Sequence, residues 1–476
     1  MNEKLCDALS HIRDAYIAEA AGAKKKRRPL WLGAVAAVLV LVICFNLGSI
    51  PMAISAKAVS TPSSPRVTSR PHSGDYHDLD AWRAALDEWS AQRDTRYTTV
   101  EGAVETLSDF FAASSLAFLS DTGSANRVWS PVNGCIALAM LAETTGGETR
   151  QQILNLLGAG SMDALREQVS AIWETVYQDD GKEISTLANS LWLDGSISYN
   201  QEVMDNLSYY HYASVYQGDF GTQKTDRALQ TWLNNNTGGL LKDFTSSITL
   251  PPAPETVLVL ASTVHFQSKW SNEFSANQNT QGTFHAPGGD IPCTFMNKKE
   301  YQTTYYWGSS FGAVSLGLKN GSSMWLILPD EGKAIEDVLS SGEYLEMVTN
   351  NHDYGTDNSK YMKVNLSLPK FDVSSSSDLA PVLQKLGITD VFDTEKADFS
   401  PSIDASFPVF LSSVNQAARV TVDESGVKAA SYIELPGAGA AAPPEEIIDF
   451  VLDRPFLFVI ASGGPLPLFM GVVNTP

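Results

Sequence analysis

The sequence predicts an α+β protein with large β-sheets, because helix signals and strand signals concentrate in different parts of one long domain, residues 100–476. In its first third, apolar residues recur at helical spacing in Val104–Leu119, and Pro131–Leu141 is a nearly all-apolar helix. Its last part closes with two apolar strands, Phe456–Ile460 and Leu468–Val473. Helices and strands that are segregated in this way are typical of α+β domains.

The remaining elements of the domain follow from the same signals in chain order. A further helix begins at Gly146–Thr149, directly after the all-apolar helix. Other apolar or alternating runs predict strands at Ser185–Leu193, Thr256–Phe266, Met324–Leu328, Lys363–Leu368 and Arg419–Val422. No second linker and no internal repeat interrupts this succession.

A membrane-insertion signal precedes the domain. Residues 24–28 are consecutive cations, and Leu30–Phe45 after them is entirely apolar or Gly/Ala. This pattern predicts a cytoplasmic tail over residues 1–28 and a transmembrane or signal-anchor segment over residues 29–56. Two outcomes stay open: a retained single anchor, or a signal peptide that is cut near Ala56-Lys57-Ala58. Both place the domain outside the cytoplasm, either anchored at the cell surface or secreted.

A linker with a short helix is predicted over residues 57–99. Residues 57–75 are rich in Pro and Ser, which favours a disordered connection. Residues 76–92 predict a short helix with one apolar stripe. The stripe consists of Leu79, Trp82, Leu86 and Trp89.

The composition excludes several classes of function. A formal net charge of −21 argues against nucleic acid or anionic membrane surfaces as partners of the domain. Of the cysteines, only Cys135 and Cys293 belong to the domain, and their apolar surroundings predict buried thiols without a metal site or a disulfide framework. Zinc, phosphate-loop, dinucleotide and hydrolase motifs are absent, so the sequence predicts neither an enzyme nor a cofactor.

The most unusual stretch lies shortly before the last two strands. From Val427 to Leu435 every second residue is apolar or small, as in a half-buried strand. Pro436–Pro444 then consists only of Gly, Ala and Pro, which cannot continue a strand interior. A strand signal thus runs directly into a flexible, protease-accessible loop. By itself this pattern also fits an ordinary edge strand followed by a linker.

Several segments resemble the signature segments of the serpin family, in the order that the family has them. Phe450–Ile460 resembles the family signature at every position, and Pro467–Asn474 is similar to its closing strand. Further matching segments are Asn126–Val132, Leu138–Leu141, Thr256–Trp270 and Leu368–Phe371. The resemblance covers the whole predicted domain.

The resemblance implies a fold and a mechanism. The fold has a metastable central sheet of five strands, two further sheets, about nine helices and an exposed reactive-centre loop. A protease attacks the loop as a substrate, and the cleaved loop inserts into the central sheet before the acyl-enzyme can be hydrolysed. Serpins are the established example of such strand insertion driven by stored strain. The native state must then be the less stable state, held by a kinetic barrier.

The resemblance also assigns residues to three sites. The hinge comprises Glu424, Gly426, Val427, Ala429, Ala430 and Ser431. Its alternate positions from Val427 onward carry no charge, which favours insertion. At the breach, where the central sheet first opens, Glu424 should pair with Lys370 beside Trp270. The shutter, the polar cluster beneath the centre of the sheet, maps onto Ser130, Asn133, Ser262 and Gln416. It departs from the family pattern but stays polar, so we expect an alternative hydrogen-bond network.

The cleaved bond is expected between Ala440 and Ala441, at the family's spacing from Glu424. Counting back from Pro455 gives Pro444 instead, which is a poor cleavage residue. A small residue before the cut suits a shallow specificity pocket, so elastase-like serine proteases are the expected targets.

Heparin activation is not expected, because the segment that resembles the heparin-binding helix carries only Arg150 and Arg166 as cations. We expect a monomer. The competing interpretation is a non-inhibitory surface or binding protein that uses the same scaffold. Thermal unfolding before and after loop cleavage separates the two, because only insertion of the loop stabilises the cleaved form.

Overall fold

The computed structural model of the chain describes residues 35–46, 56–62, 71, 76–179, 183–246, 248, 256–349, 356–404, 407–424, 444–462 and 465–476. Within these ranges, no helix combines the length and the apolar character that crossing a membrane requires. The predicted tail, residues 1–28, lies outside them.

The helices belong mainly to the first half of the domain. They are α1 (Leu79–Leu119), α2 (Pro131–Thr144), α3 (Gly147–Leu156), α4 (Met162–Val176), α5 (Gln201–Tyr210), α6 (Gln223–Asn236), α7 (Lys242–Thr245), α8 (Ile335–Ser341), α9 (Glu343–Thr349) and α10 (Ala380–Lys385).

Helix α1 joins two regions that the sequence pattern separates. It is one helix of 41 residues, whereas we predicted a short helix within the linker and another from Val104. In the stretch between them, the hydroxyls of Thr95, Thr98 and Thr99 donate to the carbonyl oxygens four residues earlier, so these side chains are satisfied within the helix. Asp78 caps the start of α1 by accepting a hydrogen bond from the Ala81 amide at 2.7 Å.

The strands form two large sheets and a small one. They are β1 (Val35–Asn46), β2 (Lys57–Ser60), β3 (Arg127–Trp129), β4 (Gln178–Asp179), β5 (Ile184–Asp194), β6 (Ser198–Tyr199), β7 (Ala213–Gly218), β8 (Thr256–Ser268), β9 (Thr280–Ala286), β10 (Gly289–Trp307), β11 (Phe311–Gly317), β12 (Ser323–Pro329), β13 (Ser359–Pro369), β14 (Phe371–Asp378), β15 (Ile403–Asp404), β16 (Phe410–Val422), β17 (Ile447–Val451), β18 (Phe456–Ala461) and β19 (Pro467–Val473).

Sheet A contains the five strands that the resemblance implies, together with three more. Its order is β14-β16-β1-β8-β5-β7-β2, and β4 pairs with β5. The expected strands are β14, β16, β8, β5 and β7. The additions are β4 and two strands from the N-terminal region, β1 and β2.

Strand β1 belongs to the segment for which the sequence predicts membrane insertion. Its 12 residues pair antiparallel with β8 on one side and with β16 on the other. A short apolar run fits a buried strand as well as a helix, and here neighbouring strands supply partners for the backbone. The membrane anchor remains a prediction, while the structure places this segment in the central sheet.

Helices cover both faces of the central part of sheet A. On one face lies α2, all of whose residues are buried and which contacts β8 and β1. The Ser130 hydroxyl caps α2, and Pro131 occupies its first turn, where the missing amide hydrogen costs nothing. On the other face, Leu229 and Leu233 of α6 pack against Val259, Ala261 and Ala417 of the sheet.

Strand β2 covers the edge of sheet A beside β7, with which it pairs antiparallel. Gly218 at the end of β7 is required for this approach, because a Cβ atom there would meet the backbone of Ala56 at 2.9 Å. A larger residue would force the two strands apart.

Sheet B lies behind sheet A and has the order β17-β13-β10-β11-β12-β18-β19-β3, with β9 paired to β10. The two further sheets that the resemblance implies are joined in it through the long strands β10 and β13. The pairing of these strands shifts between Lys298 and Tyr301, where Glu300 has a φ of 47°. Such a bulge bends a strand, so β10 turns from one layer into the next.

Candidate functional site

The candidate site is the loop between β16 and β17 together with the strands beside it. Asp423 and Glu424 continue the chain from β16, and residues 444–446 lead into β17. The loop between them lies outside the described residues. It includes most predicted hinge residues and the cleavage residues, which stay predictions: Gly426, Val427, Ala429, Ala430, Ser431, Ala440 and Ala441.

The predicted breach residues lie together where β8 and β16 end. Trp270 is 1% exposed, and its Nε1–H donates to the Asp423 carbonyl oxygen at 2.9 Å. Lys370 Nζ lies 2.5 Å from Glu424 Oε1. Asn279 Nδ2 donates to the same carboxylate oxygen. Asn279 could not be predicted from the sequence, because it belongs to a polar stretch without periodicity.

Glu424 is held in its charged form at the breach. Burial of the carboxyl opposes ionisation, but hydrogen bonds from Lys370, from the backbone and from Asn279 bring its pKa below the ordinary value. Lys370 is fixed in turn at the corner between β13 and β14, where its backbone amide donates to the Thr294 carbonyl oxygen at 3.0 Å. The first residue of the loop region is therefore attached to the sheet by a charged contact.

The predicted shutter residues lie beneath the middle of sheet A. The Ser262 hydroxyl of β8 is 2.6 Å from Oδ1 of Asn133 in α2 and 2.6 Å from Oδ1 of Asn189 in β5. Its single hydrogen can be donated to only one of them at a time. Asn189 was missed by sequence reasoning, and its Nδ2 donates to the His211 carbonyl oxygen at 2.8 Å.

Gln416 of β16 does not join the other shutter residues. It is 3% exposed, and its Nε2 donates to the Val128 carbonyl oxygen at 2.6 Å. Among the residues that the structure describes, two buried shutter atoms have no hydrogen-bond partner: Asn133 Nδ2, a donor, and Gln416 Oε1, an acceptor. The network is therefore divided, because β1 lies between β8 and β16 at this level.

The described part of the site consists of strands and the residues at their ends. Within the described part of the chain, no group of three or more His, Cys, Asp or Glu side chains could hold a metal ion. Cys135 is buried and Cys293 half-buried, and both are free. What the site offers is a gap between β8 and β16 that holds a strand, next to a loop that begins at the end of β16.

Comparisons with known proteins agree with this architecture. The family model described as serpin (serine protease inhibitor) matches residues 106–476. Serpin-Z1C of Triticum aestivum is 28% identical over 76% of this chain and 93% of its own length.

Solved structures share the fold. The native state of tengpin, a thermophilic serpin, matches with a TM-score of 0.66 and 24% identity, over 78% of this chain and 93% of that one. A thyroxine-binding globulin in complex with thyroxine matches with a TM-score of 0.62 and 20% identity, over 80% and 99% of the two chains. The fold, the loop position and the family match together define the class: the chain belongs to the serpin family.

Proposed function

We propose that this serpin inhibits serine proteases as a suicide substrate, with the loop after Glu424 as its reactive centre. The observation that carries the proposal is the gap between β8 and β16. It accepts a strand of 12 residues that is antiparallel to both neighbours, which is the geometry that a cleaved loop requires. The loop sequence supplies such a strand from Val427 onward, with no charge at its alternate positions.

The test is covalent complex formation. The ectodomain, residues 57–476, is mixed with pancreatic or neutrophil elastase, and the products are separated under denaturing conditions. We expect a complex that resists denaturation. Cleavage of the loop without any complex, or no reaction at all, would contradict the proposal.

A hinge variant separates trapping from simple binding. In Val427→Arg, a charge would have to enter the sheet without a partner, so we expect the loop to be cut without trapping of the protease. Lys428→Glu is the matched control, because the alternation places this position on the solvent side. Equal complex yields from both variants would argue against insertion of this segment.

The target class is proposed from the small residues of the loop. With the cut at Ala440–Ala441, a protease with a shallow pocket is favoured, and no Lys or Arg lies between Lys428 and Arg454 to attract a trypsin-like enzyme. Ala440→Arg should therefore form complexes with trypsin and lose those with elastase, whereas Ala438→Arg should not. Mass spectrometry of the cleaved products locates the bond directly.

Polyanion activation is not part of the proposed function. Arg166 is neutralised by Glu143, at 2.5 Å, and by Asp163, at 2.8 Å. The Arg150 Nε–H donates to the Ala142 carbonyl oxygen at 3.0 Å. With both cations of this region engaged in the protein, heparin should leave the inhibition rate unchanged within tenfold, and a larger increase would contradict this.

The proposed location is outside the cytoplasm, with residues 29–56 as an anchor or a removed signal, and the proposed state is a monomer. The basic cluster before the apolar segment supports this proposal. N-terminal sequencing of the mature protein, together with alkaline extraction of membranes, distinguishes an anchor from a removed signal. Light scattering of the purified chain measures its mass in solution and so tests whether it is a monomer.

The alternative is a non-inhibitory binding protein, for which the similarity to thyroxine-binding globulin is the specific observation. An inhibitor should gain tens of degrees in its unfolding temperature once its cleaved loop has inserted, whereas a binding scaffold should gain none.

A further inference from the structure

Strand β1 fills the gap of sheet A along its full length. Its register runs from Val35 opposite Ser268 to Asn46 opposite Thr256 on the β8 side, and from Ala36 opposite Thr421 to Asn46 opposite Phe410 on the β16 side. Strands β8 and β16 are therefore separated by one complete strand.

The direction of β1 is the direction that the reactive loop would need. Strand β16 runs toward Glu424, so a loop that folds back into the gap must run antiparallel to β16. Strand β1 is antiparallel to β16 and begins at the same end, near Thr421. The two segments thus require the same backbone hydrogen-bonding positions and cannot occupy the gap together.

The sequence of β1 suits the centre of a sheet that is covered on both faces. From Val35 to Phe45 it is apolar throughout, with five β-branched residues and neither proline nor charge. Continuous apolar runs of this kind are typical of strands buried on both sides. The loop segment from Val427 alternates instead and includes Lys428 and Glu434.

The shutter residues lie on both sides of β1. Ser262 and Gln416 both lie opposite Leu41, one on each side of β1. Two buried atoms, the donor Asn133 Nδ2 and the acceptor Gln416 Oε1, have no hydrogen-bond partner among the residues that the structure describes. Without β1, the strands β8 and β16 would approach by one strand spacing, about 4.8 Å, which would bring Ser262 and Gln416 closer together.

We propose that the segment Val35–Asn46 is an internal occupant of the gap that competes with the reactive loop, so that inhibition requires the segment to leave sheet A. This inference rests on the proposed inhibitory function. The same segment carries the membrane-insertion signal, and it cannot lie in a bilayer and in the sheet at once. Insertion into a membrane would therefore empty the gap and permit inhibition.

The occupant is tested by cross-linking in the full-length chain. Val40 lies opposite Ala417, and residues directly opposite in antiparallel strands share a face at a distance that a disulfide can bridge. With Cys6, Cys44 and Cys293 replaced by Ala, the pair Val40→Cys and Ala417→Cys should oxidise to a disulfide. The matched control, Ala37→Cys with Ala417→Cys, is three positions out of register and should not.

A second cysteine pair keeps the test decisive if the first double variant does not fold. Val40 also lies opposite Thr263 of β8, so Val40→Cys with Thr263→Cys should form the corresponding disulfide. Failure of both in-register pairs in folded protein, or equal oxidation of the control, would overturn the inference.

The competition is tested by adding lipid vesicles and then elastase to the Val40→Cys, Ala417→Cys chain, before and after reduction. The oxidised form should be cleaved in its loop with at least a tenfold lower yield of covalent complex than the reduced form. Equal yields with the disulfide intact would overturn the competition. If the disulfide forms in register but neither form traps the protease, the proposed inhibitory function fails and the assignment of the occupant stands.

Discussion

The breach and the shutter both lie along the strands β8 and β16, but their polar atoms are satisfied to different degrees. At the breach, Glu424 accepts hydrogen bonds from Lys370 and Asn279, and Trp270 donates to Asp423. At the shutter, Asn133 Nδ2 and Gln416 Oε1 are buried without partners.

The difference follows from where the contacts lie relative to β1. With β1 between them, β8 and β16 are two strand spacings apart, about 9.6 Å. Trp270 lies beyond the end of β8, and its indole reaches the Asp423 carbonyl oxygen after β16, while Lys370 and Glu424 lie on the same side of the gap because β14 pairs with β16. At the shutter, Ser262 bonds to Asn133 and Asn189, whereas Gln416 on the other side of β1 bonds to Val128. The breach therefore tolerates an occupied gap, and the shutter is the part that occupation leaves incomplete.

The largest loss of stability is expected for substitutions of Trp270. Trp270→Ala removes a fully buried side chain that packs against Phe274 and loses the hydrogen bond to Asp423, so the free energy of unfolding should fall by about 3–5 kcal/mol. Denaturant unfolding measures the change. Trp270→Phe keeps most of the volume and should lose less than half as much; a loss below about 1 kcal/mol in the alanine variant would show that the breach does not hold the strand ends.

The next largest loss of stability is expected at Gln416. Substitution by Glu introduces a charge at this position, and substitution by Leu removes the polar group. Gln416→Glu buries a carboxylate beside the Val128 carbonyl oxygen, so we expect a loss of about 3 kcal/mol at neutral pH. The loss should shrink as the pH is lowered, because a protonated carboxyl can donate to that oxygen.

Gln416→Leu is the matched control for the same position. It removes the orphaned Oε1 together with the donor, and the Val128 carbonyl oxygen keeps the Ser375 hydroxyl as a partner at 3.3 Å. The change in unfolding free energy should stay within about 1 kcal/mol. A loss as large as that of the Glu variant would mean that the amide is well satisfied and that the shutter is complete.

The smallest effect is expected at the charged pair of the breach. Glu424→Gln should cost no more than about 1 kcal/mol at pH 7, because Lys370 is 39% exposed and solvent screens the pair. The folded-state pKa of Glu424 is lowered, so its stabilisation is complete above the unfolded-state pKa and disappears as the pH falls through the folded-state value. Unfolding at a series of pH values should show the two chains converging in acid; a constant difference would exclude a role for the charge.

Much of the fold could be predicted from the sequence, because many strands carry continuous apolar runs. The strand predicted from Thr256 is β8, which extends only two residues beyond the predicted end. Strand β16 shows the limit. We predicted it from Arg419, but it begins at Phe410, because Ser412, Ser413, Asn415 and Gln416 obscure the pattern. The polar residues of the shutter have hydrogen-bond partners in distant parts of the chain, and a local sequence pattern does not show these partners.

The candidate site was predictable only in part. Trp270, Lys370 and Glu424 come from three separate segments, and the resemblance to the family assigned them to one place, where the structure brings them together. Asn189 and Asn279 complete the two clusters, but neither belongs to a pattern that a single sequence displays. Their roles depend on which residues face them across the sheet.

The sequence by itself determined the serpin resemblance, the loop of small residues after Val427 and the strongly apolar character of residues 30–45. These features are local, since they depend on residue type and spacing. Only the tertiary structure decided what the apolar segment pairs with. A run such as Val35–Asn46 can satisfy its backbone hydrogen bonds either within a helix or between two strands. The open edges of β8 and β16 allow the second arrangement.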